Sequence, residues 1–140
     1  MVFYTSIIKN SKIGETSRFG EGAPMPAGTV MTASFQLEGQ PFVALNGRPD
    51  FPFTEAISFY VDCETQEEID ELWEKLTSGG EESPCGWLKD KFGGSWQIIP
   101  KKLIKLLNDP DPQKAGRVRQ AMLKMKKIDV EKLHQAYENR

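Results

Sequence analysis

Few side chains in this sequence are suited to chemistry, and they are scattered. His134 is the only histidine, so one chain cannot assemble a site that needs several imidazoles. It follows Leu133 in the last helical stretch, far in sequence from the other polar candidates, a position that suits packing or solvent better than catalysis. The two cysteines, Cys63 and Cys85, are not spaced as a zinc motif and are too few for a disulfide framework. Reduced thiols in a cytoplasm are the expectation. Cys85 sits before Gly86-Trp87 at a turn, with Lys89 nearby, and a neighbouring cation favours a thiolate. No histidine lies close enough in sequence to serve as its base. Cys85 is therefore the reactive-thiol candidate, with a packed thiol as the competing reading. Glu55, Asp62 and Asp90 stand near strand ends. One well-placed carboxylate suffices for a general base, yet no pair has a distinctive spacing, and all three read as solvated charge. Trp87 and Trp96 alternate with polar residues on short strands, where they would line a pocket for a planar ligand or pack in the core. Phe51 and Phe53, on either side of Pro52, suit a lid or a dimer contact.

The elements that must position these residues follow from periodicity. Val2 to Lys9 has a helical pattern, with Phe3, Ile7 and Ile8 on one face. Gly20 to Gly28 is a Gly/Pro loop. Thr29 to Glu38 alternates as a strand, with Met31, Ala33, Phe35 and Leu37 pointing one way. Glu38-Gly39 reads as a hairpin turn, and Phe42 to Asn46 as the return strand. Ala56 to Asp62 is a second strand, with Ile57, Phe59 and Val61 on one face. Thr65 and Glu68 form a capping box ahead of a helix whose stripe is Ile69, Leu72, Trp73 and Leu76, and Gly79-Gly80 ends it. Short strands at Gly86 to Asp90 and Ser95 to Ile99 flank a turn at Phe92-Gly93-Gly94. Lys101 to Leu107 is a short helix. Asp111-Pro112 opens another, with Ala115, Val118, Met122 and Met125 as its apolar stripe. Asp129 caps a last helix carrying Leu133 and Tyr137. Lys124 to Lys127 reads as a solvated helix end favoured by the macrodipole.

Composition bounds the function class. The chain has 140 residues, 39% hydrophobic, with 18 basic and 20 acidic side chains and a net charge of −2. That length fits one domain, 1–140. Near-balanced charge argues against nonspecific nucleic-acid binding. No stretch approaches the roughly 18 apolar residues of a membrane span, and MVFYTSIIKN lacks the basic start and cleavage site of a signal peptide.

The two halves repeat. Residues 1–48 read helix, then strands; residues 55–100 read strand, helix, then strands, followed by a helical part at 101–140. This is an α+β pattern of two βαβββ units, the first lacking its opening strand. It resembles the vicinal oxygen chelate superfamily. The segments PAGTVMTASFQLEGQPFVALNG, EAISFYVDC, CGWLKDKFGGSWQIIP, DPDPQKAGRV and AMLKMKKIDV are similar to its PhnB-like branch, often labelled a 3-demethylubiquinone-9 3-methyltransferase domain. The resemblance implies cupped mixed sheets and C-terminal helices. It also implies a homodimer, because paired units complete each cup.

Metal-binding relatives place His and Glu on the first and last strands of each unit. On that pattern the resemblance puts Ser58 and Gln97 where ligands would stand, with Asn46 at the end of the first unit's last strand. These are poor ligands for a transition metal. The resemblance therefore implies the cup without a metal or other cofactor. Nothing resembles a Gly-rich nucleotide loop after a strand, as a methyl-donor site of the common α/β kind requires. The expected function is metal-independent binding of a small molecule by Asn46, Ser58, Trp87, Trp96 and Gln97. The alternatives are a divergent lyase or dioxygenase, a Cys85-dependent enzyme, and a structural dimer module.

Overall fold

Strand alternation, three helix caps and a handful of glycines account for most of the architecture in the computed structural model, which describes residues 1–140. The chain divides into two compact units, Met1–Phe51 and Pro52–Arg140.

In the first unit, α1 (Val2–Ile7) precedes β1 (Lys12–Arg18), β2 (Val30–Leu37) and β3 (Gln40–Leu45). The strands form one antiparallel sheet in the order β1-β2-β3. Ala33, Phe35 and Leu37 are buried as their alternation requires, and Phe35 stacks on Phe42 at 5.4 Å. Glu38 and Gly39 both have positive φ (48° and 79°), the backbone of a two-residue hairpin turn that matches strand twist. Val43 and Leu45 project from the other face of β3 and are exposed.

The second unit runs β4 (Ser58–Cys63), α2 (Gln66–Thr77), β5 (Glu81–Glu82), a short 3-10 turn at Pro84–Gly86, β6 (Trp87–Lys89) and β7 (Ser95–Pro100). It continues through α3 (Lys101–Leu107), α4 (Pro112–Leu123) and α5 (Val130–Glu138). The sheet order is β4-β7-β6-β5, with β4 parallel to β7 and the other pairs antiparallel. The α+β class, the two sheets and the C-terminal helices agree with the sequence reading.

The expected cap on α2 is present: Thr65 accepts from the Glu68 N–H. The Glu68 carboxylate reaches one residue further back than a capping box requires, to the Glu64 N–H at 2.8 Å. Ile69, Leu72, Trp73 and Leu76 are all buried. They cover the sheet face that carries Cys63, Leu88, Trp96 and Ile98, which are buried too. A second core joins Ile99 to Leu103, Val118, Ile128 and Leu133. The Gln66 side chain ties the two together. Its amide donates to the Ile128 carbonyl at 3.0 Å and accepts from the Val130 N–H at 2.8 Å.

Four expectations need correction. β4 begins at Ser58, and Ile57 is 76% exposed instead of sharing a face with Phe59 and Val61. Met125 falls beyond the end of α4; its carbonyl accepts the Cys85 N–H at 2.8 Å, so the turn is spent on tethering β6. α1 ends at Ile7, short of Lys9, because the chain turns extended at Ile8; β5, only two residues long, carried no periodic signal.

Gly116 lies inside α4, and a Cβ built there meets nothing within 4 Å. Glycine costs a helix interior about 1 kcal/mol relative to alanine. Gly116→Ala should therefore raise the melting temperature by roughly 3 °C, measured by circular dichroism; a lower one would show that α4 needs the glycine.

Candidate functional site

The strand register of the second unit sets side chains in rows. Trp87 pairs with Gln97, and Gln97 pairs with Tyr60. One step along, Lys89 pairs with Ser95, and Ser95 with Ser58. Directly opposed residues point to the same side of a sheet, and alternate residues share a face. The six side chains therefore occupy one face across β6, β7 and β4, opposite the face covered by α2.

Within these rows, the Gln97 amide bonds the Ser58 hydroxyl at 2.9 Å. Two of the residues singled out from sequence are thus brought into direct contact. Whichever end of the amide meets the serine, the other end is left for a ligand. Trp87 is half-buried on the strand beside Gln97. Ser95 was not anticipated. It is only 3% exposed, and its hydroxyl is a buried polar group without a hydrogen-bond partner. Buried hydroxyls are nearly always bonded, so this orphan marks a place where polar capacity is held unused. Its signal in the sequence was a serine two residues before Gln97, which alternation places on the same face.

The one cation of this face is paired. Lys89 forms an ion pair with Glu55. The hydrogen bond from Lys89 is the main reason Glu55 titrates below the usual carboxylate range, and the same bond raises Lys89. A lowered carboxylate stays ionised down through mildly acidic pH, and a raised lysine stays charged up through mildly basic pH. The pair is therefore neutral overall across the physiological range. Partial burial, then the Asp62 charge, push the Tyr60 phenol up, so Tyr60 remains a neutral O–H donor. The face combines uncharged donors, the rings of Trp87 and Tyr60, and the exposed Asp62 carboxylate at its edge.

Other candidates lie elsewhere. Trp96 is on the opposite face, 2% exposed. Its indole N–H donates to Asp90 at 2.9 Å, and its ring lies 4.9 Å from Phe59. Alternation alone could not say which of the two tryptophans would face α2. Asp90 itself is a correction: it is buried, not solvated, and also accepts the N–H groups of Phe92 (2.8 Å) and Gly94 (3.0 Å). Asn46 belongs to the first unit, where its amide donates to the Val30 carbonyl at 2.9 Å. There it borders a cavity of about 250 Å³ lined also by Met1, Met31, Ala33 and Ala44. Cys85 is half-buried at φ 62°, and Lys89, the cation that made it a candidate, is engaged by Glu55. His134 is half-buried on α5, and Phe51 and Phe53 are exposed.

Ser58 and Gln97 offer a hydroxyl and a neutral amide, and no three His, Cys, Asp or Glu side chains stand close enough to hold a metal ion together. Neutral oxygen donors bind divalent transition metals weakly beside imidazole or carboxylate. The donor set does not fit the metal that a vicinal oxygen chelate fold implies. No helix is long and apolar enough to cross a membrane.

The family model described as 3-demethylubiquinone-9 3-methyltransferase matches residues 1–99. Among solved structures, the PhnB protein from Bacillus cereus is 41% identical, with a TM-score of 0.64 over 71% of this chain and 87% of that one. The protein PA1353 from Pseudomonas aeruginosa is 19% identical, with a TM-score of 0.56 over 71% and 84% of the two chains, a likeness of fold. None of the curated proteins compared matches the chain.

Proposed function

Because the chain belongs to the 3-demethylubiquinone-9 3-methyltransferase family in its PhnB-like form, we propose that it binds a small uncharged molecule, without a metal, on the β6-β7-β4 face of its second unit. The observation that carries this is the Gln97–Ser58 bond laid beside the half-buried Trp87 ring. A flat ring bearing carbonyl or hydroxyl oxygens suits the surface. Trp87 offers a stacking face, and Gln97, Tyr60 and Ser58 offer hydrogen bonds. Lys89 is neutralised by Glu55, and the Asp62 carboxylate beside Tyr60 disfavours an anion. The methyl transfer in the family's description is not carried over, for want of a Gly-rich loop after a strand. Catalysis by Cys85 has less support than binding, since its cation is taken and no base stands beside it.

Trp87 reports directly on this reading. Trp73 and Trp96 are buried, at 4% and 2% exposure, so a ligand on this face should alter the emission of Trp87 alone. Titration with small neutral quinones and phenols should quench part of the fluorescence in the wild type and none in Trp87→Phe. Gln97→Leu should weaken the same ligand about tenfold, the cost of roughly one hydrogen bond. A ligand that quenches both proteins equally, or one whose binding demands added zinc, nickel or iron, would place the site elsewhere or make it a metal site.

A further inference from the structure

The binding reading leaves one group on the β6-β7-β4 face unused. The Ser95 hydroxyl is buried and has no hydrogen-bond partner. Register fixes its flanks: Lys89 stands beside it on β6 and Ser58 on β4. α2 packs on the opposite face, so it does not cover this hydroxyl.

The segment Pro52–Ile57 is placed to do so. Phe53 lies against the turn before β7, its Cβ 4.0 Å from where a Cβ on Gly93 would stand. Two residues on, the Glu55 carboxylate is ion-paired with Lys89. Three residues further, Ser58 opens β4. The chain is thus held at the turn, at β6 and at β4, on three sides of Ser95. β6 and β4 are two strand spacings apart, roughly 10 Å, which three extended residues just span. The direct path from Glu55 to Ser58 therefore crosses the end of β7, and Ser95 is the β7 residue there.

This segment is weakly held. Every residue from Pro52 to Ile57 is exposed. None of their backbone groups bonds to the sheet, and the Ala56 N–H turns back to Thr54 Oγ1 at 3.4 Å. The ion pair that ties the segment down joins a Glu55 side chain 58% exposed to a Lys89 side chain 33% exposed. Such pairs are weak, and salt screens them. Closure also strands a buried hydroxyl, a cost recovered when water or a ligand reaches it. Weak closure with a penalty for being closed makes a two-state element.

We infer that Pro52–Ile57 is a strap latched over Ser95 by the Glu55–Lys89 ion pair, and that its release lengthens the ligand face by the row Lys89, Ser95 and Ser58. A carbonyl oxygen of the ligand then accepts from the freed Lys89 ammonium and the Ser95 hydroxyl together. Ser95 so becomes a determinant of specificity for carbonyl-bearing rings. The strap itself stands without any ligand; its use in recognition rests on the binding reading above.

Thiol labelling separates the two. In Ser95→Cys, iodoacetamide modification at position 95 is followed by peptide mass spectrometry. It should be slow at low salt. It should be about tenfold faster when Glu55→Gln or Lys89→Met is added, or in about 0.5 M salt, where screening falls to a few ångströms. Lys89→Met breaks the latch without freeing a cation to activate the thiol. The buried Cys63 and half-buried Cys85 serve as internal references, and their rates should not follow the latch. Should Ser95→Cys fail to fold by circular dichroism, chymotrypsin cleavage after Phe53 replaces it, again about tenfold faster in Glu55→Gln and in Lys89→Met than in the wild type. Equal rates in latched and unlatched proteins overturn the strap. Ser95→Ala should then weaken a quinone about tenfold, read from Trp87 quenching, and leave a carbonyl-free ring of the same size unchanged. The same response of both rings overturns the specificity role alone. Quenching by neither overturns the binding reading, while the labelling rates still decide the strap.

Discussion

Asp90→Ala is expected to be among the most destabilising single substitutions in the chain. The Asp90 carboxylate is 2% exposed and accepts the N–H of Phe92, the N–H of Gly94 and the indole N–H of Trp96. Alanine removes the acceptor for all three at once. A buried donor left unsatisfied costs about 1–3 kcal/mol, so a loss of about 3–5 kcal/mol follows, a large part of the roughly 5–15 kcal/mol that stabilises a domain. The melting temperature should fall by about 10 °C or more. Asparagine does not rescue it, since its NH₂ must face one of the donors; an intermediate fall is expected. Thermal unfolding followed by circular dichroism checks both. A change of less than about 2 °C for Asp90→Ala would show that the turn and the Trp96 indole find other partners.

Gly80→Ala is expected to rival it by a different route. A Cβ at Gly80 overlaps the carbonyl oxygen of Lys89 and lies 2.8 Å from the carbonyl carbon of Asp90. These are backbone atoms at the end of β6, where Lys89 pairs with Glu81, so no flexible side chain can yield. Overpacking of this kind costs about 1–3 kcal/mol or more. Because β6 carries Trp87 and Lys89, the shift should also disturb the proposed binding face. Amide exchange at Leu88 and Lys89 should accelerate, and the quench of Trp87 by any ligand should be lost. The comparison with Gly116→Ala is instructive, because the same chemical change at an open helix position should stabilise. Unchanged exchange at β6 in Gly80→Ala would refute the overlap argument.

Elements with a strong local cause were legible in advance. The alternation of Met31 to Leu37, the Glu38-Gly39 turn, the Thr65 cap and the Asp111-Pro112 start all appear where their side chains demand. Ser58 and Gln97, 39 residues apart, were paired only through a family resemblance, and their hydrogen bond follows from β4 lying parallel to β7. Ile57 was misplaced because alternation extends a strand past the point where the partner strand stops. β5 was missed because two residues carry no period.

The sequence by itself determined the α+β class, the starts of the capped helices and the single histidine. Through the family resemblance it also put neutral Ser58 and Gln97 where metal-binding relatives carry ligands. Only the tertiary structure decided that Trp96 belongs to the core while Trp87 faces out, that Asp90 is a buried acceptor, and that Ser95 is an orphaned hydroxyl beside Gln97. It alone brought Lys101 to Glu64 and Lys127 to Asp70. The physical reason is common to all four: which way a face points, and which donor meets which acceptor, depend on strand order and register, and these are set by contacts between residues distant in sequence.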